Sequence, residues 1–410
     1  MALSSRLYLD HAATSWPKSP AVLGAMHDYA SQFGATAGRG AYRSAQCAEE
    51  IVASARRGAA RLIGSAAPNN ISFHASGTAA LNTGIFGWIQ QGDHVVTTQS
   101  EHNSVLRPLE AARKRGMIDV TCVECDPQGR VAPDAVLDAI SDTTSLVAIA
   151  SASNVTGCVQ PIREIADALE AFRKRQRIAF LVDGAQTVGW MEMNVSKGID
   201  LLAAPMHKAV GAPFGTAILH VAEHCHSGIE PVLHGGTGTR SDLMEMPSGM
   251  PDKLEAGNLN VPAIAGLVVA IEETARRRSN ALDQLGRVLS ESLHHGLAAL
   301  DGVDVIGDHG PIPVVSFQVN GQSPQEVAAI LDSEFAIEVR SGFHCAALIH
   351  GQLRFNTSGQ NSSESGTVRV SAGHSTTIEE IERFTDSVAE ISSASCNVSQ
   401  GKGSANRKQK

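Results

Sequence analysis

No stretch of about 18 consecutive apolar residues occurs in the chain, so the sequence offers no candidate for a membrane-spanning helix. The N-terminus, MALSSRLYLD, lacks the charged segment and following apolar segment of a secretory leader and runs straight into a strand-like stretch. An excess of basic charge is also missing. The formal net charge is −9 and the pI about 6.0, which leaves no broad cationic face for nucleic acid. The seven cysteines, odd in number and scattered, form no disulfide framework and point to a reducing compartment. Together these absences predict a cytoplasmic protein that works without membrane or nucleic acid.

Metal-ligand spacing is lacking too. Cys122 and Cys125 form a CxxC inside the strand-like run DVTCVECD, with no second pair at zinc spacing, and read as two strand cysteines. His220, His224, Cys225, His226 and His234 crowd one stretch but match no helical ligand pair such as HExxH, and read as surface histidines. No metal is expected.

What is present is length and apolar material enough for two domains: 410 residues, 43% of them hydrophobic. Between about residues 70 and 220 the short apolar runs ISFH, HVVTT, DVTCVE, SLVAIAS, IAFLVD and TAILHV alternate with helical patterns such as PIREIADALEAFRKR. That alternation predicts an α/β fold with a mostly parallel sheet covered by helices, and places a ligand outside the carboxyl ends of the strands. A long helical stretch from Val261 to Leu300 then leads to a smaller α+β domain with strands VDVI, PVVSFQV, AIEVR and TVRVS and helices near PQEVAAILDSE and TIEEIERFTDSVAEI. The expected divisions are an N-terminal arm over 1–20, a large domain over 21–262 and a small C-terminal domain over 263–395. The polar, basic residues 396–410 read as a disordered tail.

One pair of residues narrows the chemistry. Asp183 closes the apolar run IAFLVDGAQ, and Lys208 follows in the loop APMHKAVGAPFG. A lysine amine that can hold pyridoxal phosphate as a Schiff base, with a carboxylate that keeps the pyridine nitrogen protonated, is what an enzyme using that cofactor requires. The turn Ser76-Gly77-Thr78, between strand ISFH and a helical pattern, offers backbone N–H groups to a phosphate. Cys345, in VRSGFHCAALIH, follows a strand beside a glycine, where a loop can carry it over a site; Arg340 and His344 flank it and favour thiolate.

With YLDHAATSWPK near its start and RVSAGHSTTIEEI near its end, the chain resembles class V aminotransferase-fold enzymes over nearly its whole length. Within them it is similar to the cysteine desulfurases that carry the nucleophile in an RxGxHCA motif. The resemblance implies the type I pyridoxal-phosphate transferase fold, a homodimer, and L-cysteine as substrate. It implies Lys208 as the Schiff-base lysine, His207 near the phosphate, Asp183 on the pyridinium nitrogen and Gln186 on the phenolic oxygen. His102 would stack on the ring and shuttle protons, Asn154 would bond the cofactor's oxygen side and the substrate, and Gly77 and Thr78 would form the phosphate turn. Cys345 would take the substrate sulfur as a persulfide, with Arg369 and Arg340 on the substrate side. The product would be alanine, and the sulfur would pass to an acceptor in iron–sulfur cluster or cofactor assembly.

Five positions depart from that pattern: Pro205 in place of a Ser or Thr, Asn258 in place of a Thr, Ala80 in place of an acidic residue, His11 in place of an Asn, and His374 in place of an aromatic. All but the last two bear on phosphate anchoring, for which the run Gly236-Thr237-Gly238-Thr239 can compensate. Other readings stay open: selenocysteine lyase, cysteine-sulfinate desulfinase, an aminotransferase or epimerase, or a non-catalytic relative of the same fold.

Overall fold

The computed structural model describes residues 6–38, 40–239, 242–278, 282–307, 309–353 and 366–405. Its largest element is a seven-stranded sheet of β2 (Ile71–His74), β3 (Asp93–Thr98), β4 (Ile118–Val123), β5 (Thr144–Ala150), β6 (Ala179–Asp183), β7 (Leu201–Pro205) and β8 (Ala217–Val221). The spatial order is β2-β8-β7-β6-β5-β3-β4, and only β8 runs antiparallel to its neighbours. All six apolar runs expected as strands are strands here. The sequence reading passed over β7, whose LLAAP contains two alanines of poor strand propensity, yet every one of its residues is buried.

Strand residues alternate between two packed faces, as a pleat with both sides covered requires. Phe180, Val182, Leu202 and Ala204 join one core with α1 (Pro20–Gln32), α2 (Arg43–Leu62), α6 (Ile162–Arg173) and α7 (Val261–Arg278). Leu181, Leu201, Ala203 and Leu219 join the other with α3 (Gly77–Trp88) and α4 (Asn103–Lys114). One short helix, α5 (Pro133–Asp138), precedes β5.

The smaller body is an antiparallel sheet ordered β12-β13-β10-β9, from β9 (Val303–Ile306), β10 (Val314–Val319), β12 (Arg340–Gly342) and β13 (Thr367–Ser371). Helices α8 (Leu282–Ala298), α9 (Pro324–Phe335) and α10 (Ile378–Ala405) accompany it. Ser323 and Glu326 form a capping box that starts α9, as the Ser-Pro-Gln-Glu order favours.

Three expected boundaries shift. The long stretch Val261–Leu300 is two helices, α7 and α8. The division drawn at 262 falls inside α7, whose Ile264, Leu267 and Ile271 belong to the large core, whereas Leu289, Leu293 and Leu297 of α8 belong to the small one. The first residues are no separate arm: β1 (Leu7–Tyr8) pairs in parallel with β11 (Ile337–Glu338), and Leu7 and Leu9 bury in the small-domain core. At the other end, α10 continues to Ala405 through residues expected as a tail, since no proline interrupts it; 406–410 lie outside the described residues. Among the described residues no helix is long and apolar enough to cross a membrane.

Candidate active site

The carboxyl ends of β2, β3, β5, β6 and β7 open onto a cavity of about 220 Å³, closed on one side by the small domain. Every site residue expected from the sequence lines it: Lys208, Asp183, Gln186, His207, His102, Asn154, Gly77 and Thr78 from the large domain, and Arg340, Cys345 and Arg369 from the small one.

The first link is between Asp183 and Lys208. Asp183 is the last residue of β6, in register with Ala150 and Ala203, so the sheet fixes its height. One carboxylate oxygen accepts the Ala185 N–H at 2.9 Å. Burial pushes its pKa up while Lys208 pulls it down, and no salt bridge meets it among the described residues. A buried carboxylate in that condition is suited to a cationic ring nitrogen. Lys208 follows β7, and burial lowers its pKa to about 8, against the attraction of Asp183; Arg369 and Arg340 push the same way as burial. An appreciable minority of its amine is therefore neutral, and nucleophilic, near physiological pH.

His102 caps α4. Its Nδ1 accepts the Ser104 N–H at 3.0 Å, so in the neutral ring the proton sits on Nε2. Burial, then the Lys208 charge, lowers its pKa to about 4. The Ser104 hydroxyl lies 2.8 Å from Nδ1 and 2.8 Å from the Thr78 hydroxyl, joining His102 to the turn at the start of α3. In that turn Ser76 caps α3 by accepting the Ala79 N–H at 3.1 Å. A Cβ on Gly77 would lie 2.9 Å from Cδ of Pro205. The proline that replaces a hydroxyl residue thus seats its ring against the turn, and only glycine fits opposite it. His207 is held by Thr14, whose hydroxyl lies 3.0 Å from Nδ1, and burial lowers its pKa to about 4. The Gln186 amide donates to the Ala12 carbonyl at 3.3 Å.

Arg369 is buried on β13. Its guanidinium donates to Asp10 at 2.5 Å and to the Asn154 carbonyl at 3.1 Å, and its Nε has no acceptor. Asn154 in turn donates its amide to the His344 carbonyl at 2.7 Å. That bond ties the large domain to the Cys345 loop, and a second tie runs from the Asn103 N–H to the Cys345 carbonyl at 2.7 Å. His344 and Cys345 both have left-handed backbone, with φ of 51° and 59°. Consecutive residues so strained are held by surroundings, and they cluster at functional sites. Cys345 is exposed at the cavity, with an Arg340 nitrogen 3.7 Å from its sulfur.

One expected aid to the thiolate fails. His344 points its Nε2 at the Thr367 hydroxyl and carbonyl, at 2.8 and 3.1 Å, and burial with the nearby arginines lowers its pKa to about 2. It is neutral and lends Cys345 no charge. The sequence reading also missed Asp10 and Ser104. Asp10 stands in the quoted opening YLDHAATS, and its carboxylate is the partner the buried Arg369 needs; nothing local marked Ser104.

Of the departures, Ala80 is buried in the core of α3, and Asn258 lines a second cavity of about 430 Å³ behind the same turn, with Ala75 and Ala79. His374 packs its ring 4.0 Å from Trp190, and His11 packs edge-on to Tyr8 at 4.9 Å. Thr237 and Thr239 bond to each other at 3.1 Å outside the first cavity, and residues 240–241 lie outside the described ones. Among the histidines read as surface residues, His220 is buried in β8, and His224 donates its Nε2–H to the Asp200 carboxylate at 2.9 Å, which raises its pKa. Asp200 is also engaged by Arg173 and the Phe180 N–H.

The family model for aminotransferase class V matches residues 7–384. The chain belongs to that family. Its relatives place it among the cysteine desulfurases: a probable cysteine desulfurase of Methanothermobacter thermautotrophicus is 35% identical over 95% of both chains. Another, from Pyrococcus abyssi, is 31% identical over 94% of both. The apo structure of a cysteine desulfurase from Thermococcus onnurineus superposes with a TM-score of 0.85 at 30% identity, covering 95% of this chain and 96% of that one. As a class V member the chain has the type I transferase fold described above, the large and small bodies closing on one cavity.

Proposed function

We propose that the protein is a pyridoxal-phosphate-dependent cysteine desulfurase that converts L-cysteine to L-alanine. The carrying observation is the position of Cys345, exposed on the same cavity that holds Lys208 and Asp183, with Arg340 beside its sulfur. In the reaction the carbon–sulfur bond of the substrate breaks and a sulfur–sulfur bond forms on Cys345, so the enzyme thiol becomes a persulfide.

The cofactor would supply the electron sink that lets bonds next to the substrate amine break. This chain's residues do the rest. Lys208 would hold the cofactor through its amine and, with a pKa lowered to about 8, can accept and return a proton at Nζ. Asp183 would keep a proton on the ring nitrogen, and Gln186 and Asn154 would face its oxygen side. His102, uncharged, would stack on the ring and holds a proton at Nε2. Gly77, Thr78 and His207 would meet the phosphate at the start of α3, where backbone N–H groups favour an anion. Arg369 offers its unpaired Nε to the substrate carboxylate, a geometry that lysine would not reproduce.

Exposed Val232 and Leu233 line the second cavity, and their apolar surface fits burial in a homodimer. A reducing compartment suits the free cysteines, and an acceptor thiol, on a partner protein, would take the persulfide sulfur on toward cluster or cofactor assembly.

The test is product analysis with L-cysteine and a reductant. Equal amounts of alanine and sulfide are expected, and Cys345→Ala should lower both at least 100-fold while cofactor absorbance stays. Undiminished alanine from that variant, or amino transfer to a 2-oxo acid, would reject the proposal.

A further inference from the structure

Four donor groups converge on one backbone carbonyl, that of His207, the residue before Lys208. The Ser15 N–H reaches it at 3.1 Å and the Lys18 amine at 2.6 Å, while the Thr14 and Ser15 hydroxyls lie 3.1 and 3.2 Å away. A carbonyl oxygen has two lone pairs, so not all four bond at once. Thr14, Ser15 and Lys18 belong to the segment that leads into α1 and stand behind the active-site cavity, which His207 lines.

Lys18 is a half-buried cation without a counter-charge. Its Nζ meets only neutral oxygens, with the Ser15 and Thr14 hydroxyls at 2.9 and 3.3 Å, and no carboxylate pairs with it among the described residues. Burial lowers its pKa to about 8, which leaves most of the amine charged at neutral pH. The Phe214 ring lies 5.7 Å from Nζ and 4.8 Å from the His207 ring, so one aromatic covers both.

These contacts decide where the Thr14 proton goes. Lys18 and the Ser15 N–H fill both lone pairs of the carbonyl, and neither hydroxyl is needed there. The ammonium also faces the Thr14 oxygen and so turns the hydroxyl hydrogen away from itself. The acceptor on that other side is Nδ1 of His207, 3.0 Å from the same oxygen. Burial keeps His207 uncharged, and a neutral ring that accepts at Nδ1 carries its one proton on Nε2. Nε2 has no partner among the described residues.

We propose that Lys18 is a positioning residue for the cofactor phosphate: through the His207 carbonyl and the Thr14 hydroxyl it holds His207 in the tautomer whose Nε2–H a phosphate oxygen can accept. This role presupposes that His207 meets the phosphate, as in the function proposed above. Pro205, which has no N–H or hydroxyl to donate at the same end of the cavity, leaves more of the anchoring to His207. Nothing in the segment SWPKSP marked Lys18, because the carbonyl it meets lies 189 residues away in sequence.

The test is absorbance titration of the cofactor-free full chain with pyridoxal phosphate and, separately, with pyridoxal, which keeps the ring and aldehyde but lacks the phosphate. Lys18→Met should weaken pyridoxal-phosphate affinity about tenfold or more and pyridoxal affinity less than about twofold, as loss of a hydrogen bond to a charged group implies. Thr14→Val should show the same selective loss. His207→Asn should itself weaken pyridoxal-phosphate binding, and adding Lys18→Met to it should cost nothing further. Native affinity in Lys18→Met, equal weakening toward both ligands, or a full further loss in the His207→Asn background would overturn the role of Lys18 and leave the proposed function standing. A native chain that takes up no pyridoxal phosphate would overturn both.

Discussion

Lys208 illustrates how one side chain's environment sets its chemistry. Burial and two arginines depress its pKa to about 8, and Asp183 holds it from falling further. Attachment of a cofactor aldehyde needs the neutral amine, so the rate at which the apo-protein takes up pyridoxal phosphate should rise with pH through a midpoint near 8. Asp183→Asn removes the restraining charge and should move that midpoint lower. Stopped-flow absorbance across pH 6 to 10.5 checks both, and a midpoint at the ordinary lysine value would show that the site does not perturb Lys208. At this scale the sequence was legible where a residue type and its neighbours in the chain carry the chemistry, as for Asp183, Lys208 and Cys345. It was not legible where a role depends on which way a ring nitrogen points. His344 sits beside the nucleophile in sequence, yet its donor faces Thr367.

At the scale of elements, β7, the β2–α3 turn and α4 form one unit around the phosphate end of the cavity. Pro205 ends β7 and presses on Gly77, which starts α3, and Thr78 and His102 share the Ser104 hydroxyl. Gly77→Ala should therefore clash with the proline ring and weaken pyridoxal-phosphate affinity about tenfold or more. Adding Pro205→Ser removes the ring, so the double variant should recover most of that loss. Equilibrium cofactor titration of the two single variants and the double measures the coupling, and additive losses would deny the contact. The strands and α3 were readable from periodicity and the Gly-rich turn. The strand β7 was not, because two alanines in a five-residue run look nothing like a β-strand until the sheet buries them on both faces.

The whole molecule holds many histidines uncharged. His11, His74, His102, His207, His220 and His374 all have pKa values lowered to about 4 by burial, against 6.5 in an open chain. Between those pH values the unfolded chain binds protons that the folded one refuses, so stability falls as pH drops through the window. Glu101, raised to about 8 by burial, works the other way, since between 4.5 and 8 the folded chain keeps a proton that the unfolded one has lost. Asp183, which burial also raises, sides with Glu101. Six groups outweigh two: the urea midpoint should decline from pH 6.5 toward pH 4.5, and a flat or rising midpoint would contradict this balance. At this largest scale the two-body architecture was legible in the alternation of strands and helices, but the boundaries were not. The first strand is far in sequence from its partner β11, and α7 packs by its apolar face on the large core although it leads toward the small domain. Both domains nevertheless bring their expected residues to one cavity, and the central claim is that sulfur leaves the substrate there for Cys345. Intact-protein and peptide mass spectrometry after brief incubation of the holoenzyme with L-cysteine tests it most directly. The account predicts a gain of one sulfur atom on the peptide containing Cys345, reversed by a reductant and absent in Cys345→Ala; alanine production with no sulfur on Cys345, or sulfur on another cysteine, would contradict it.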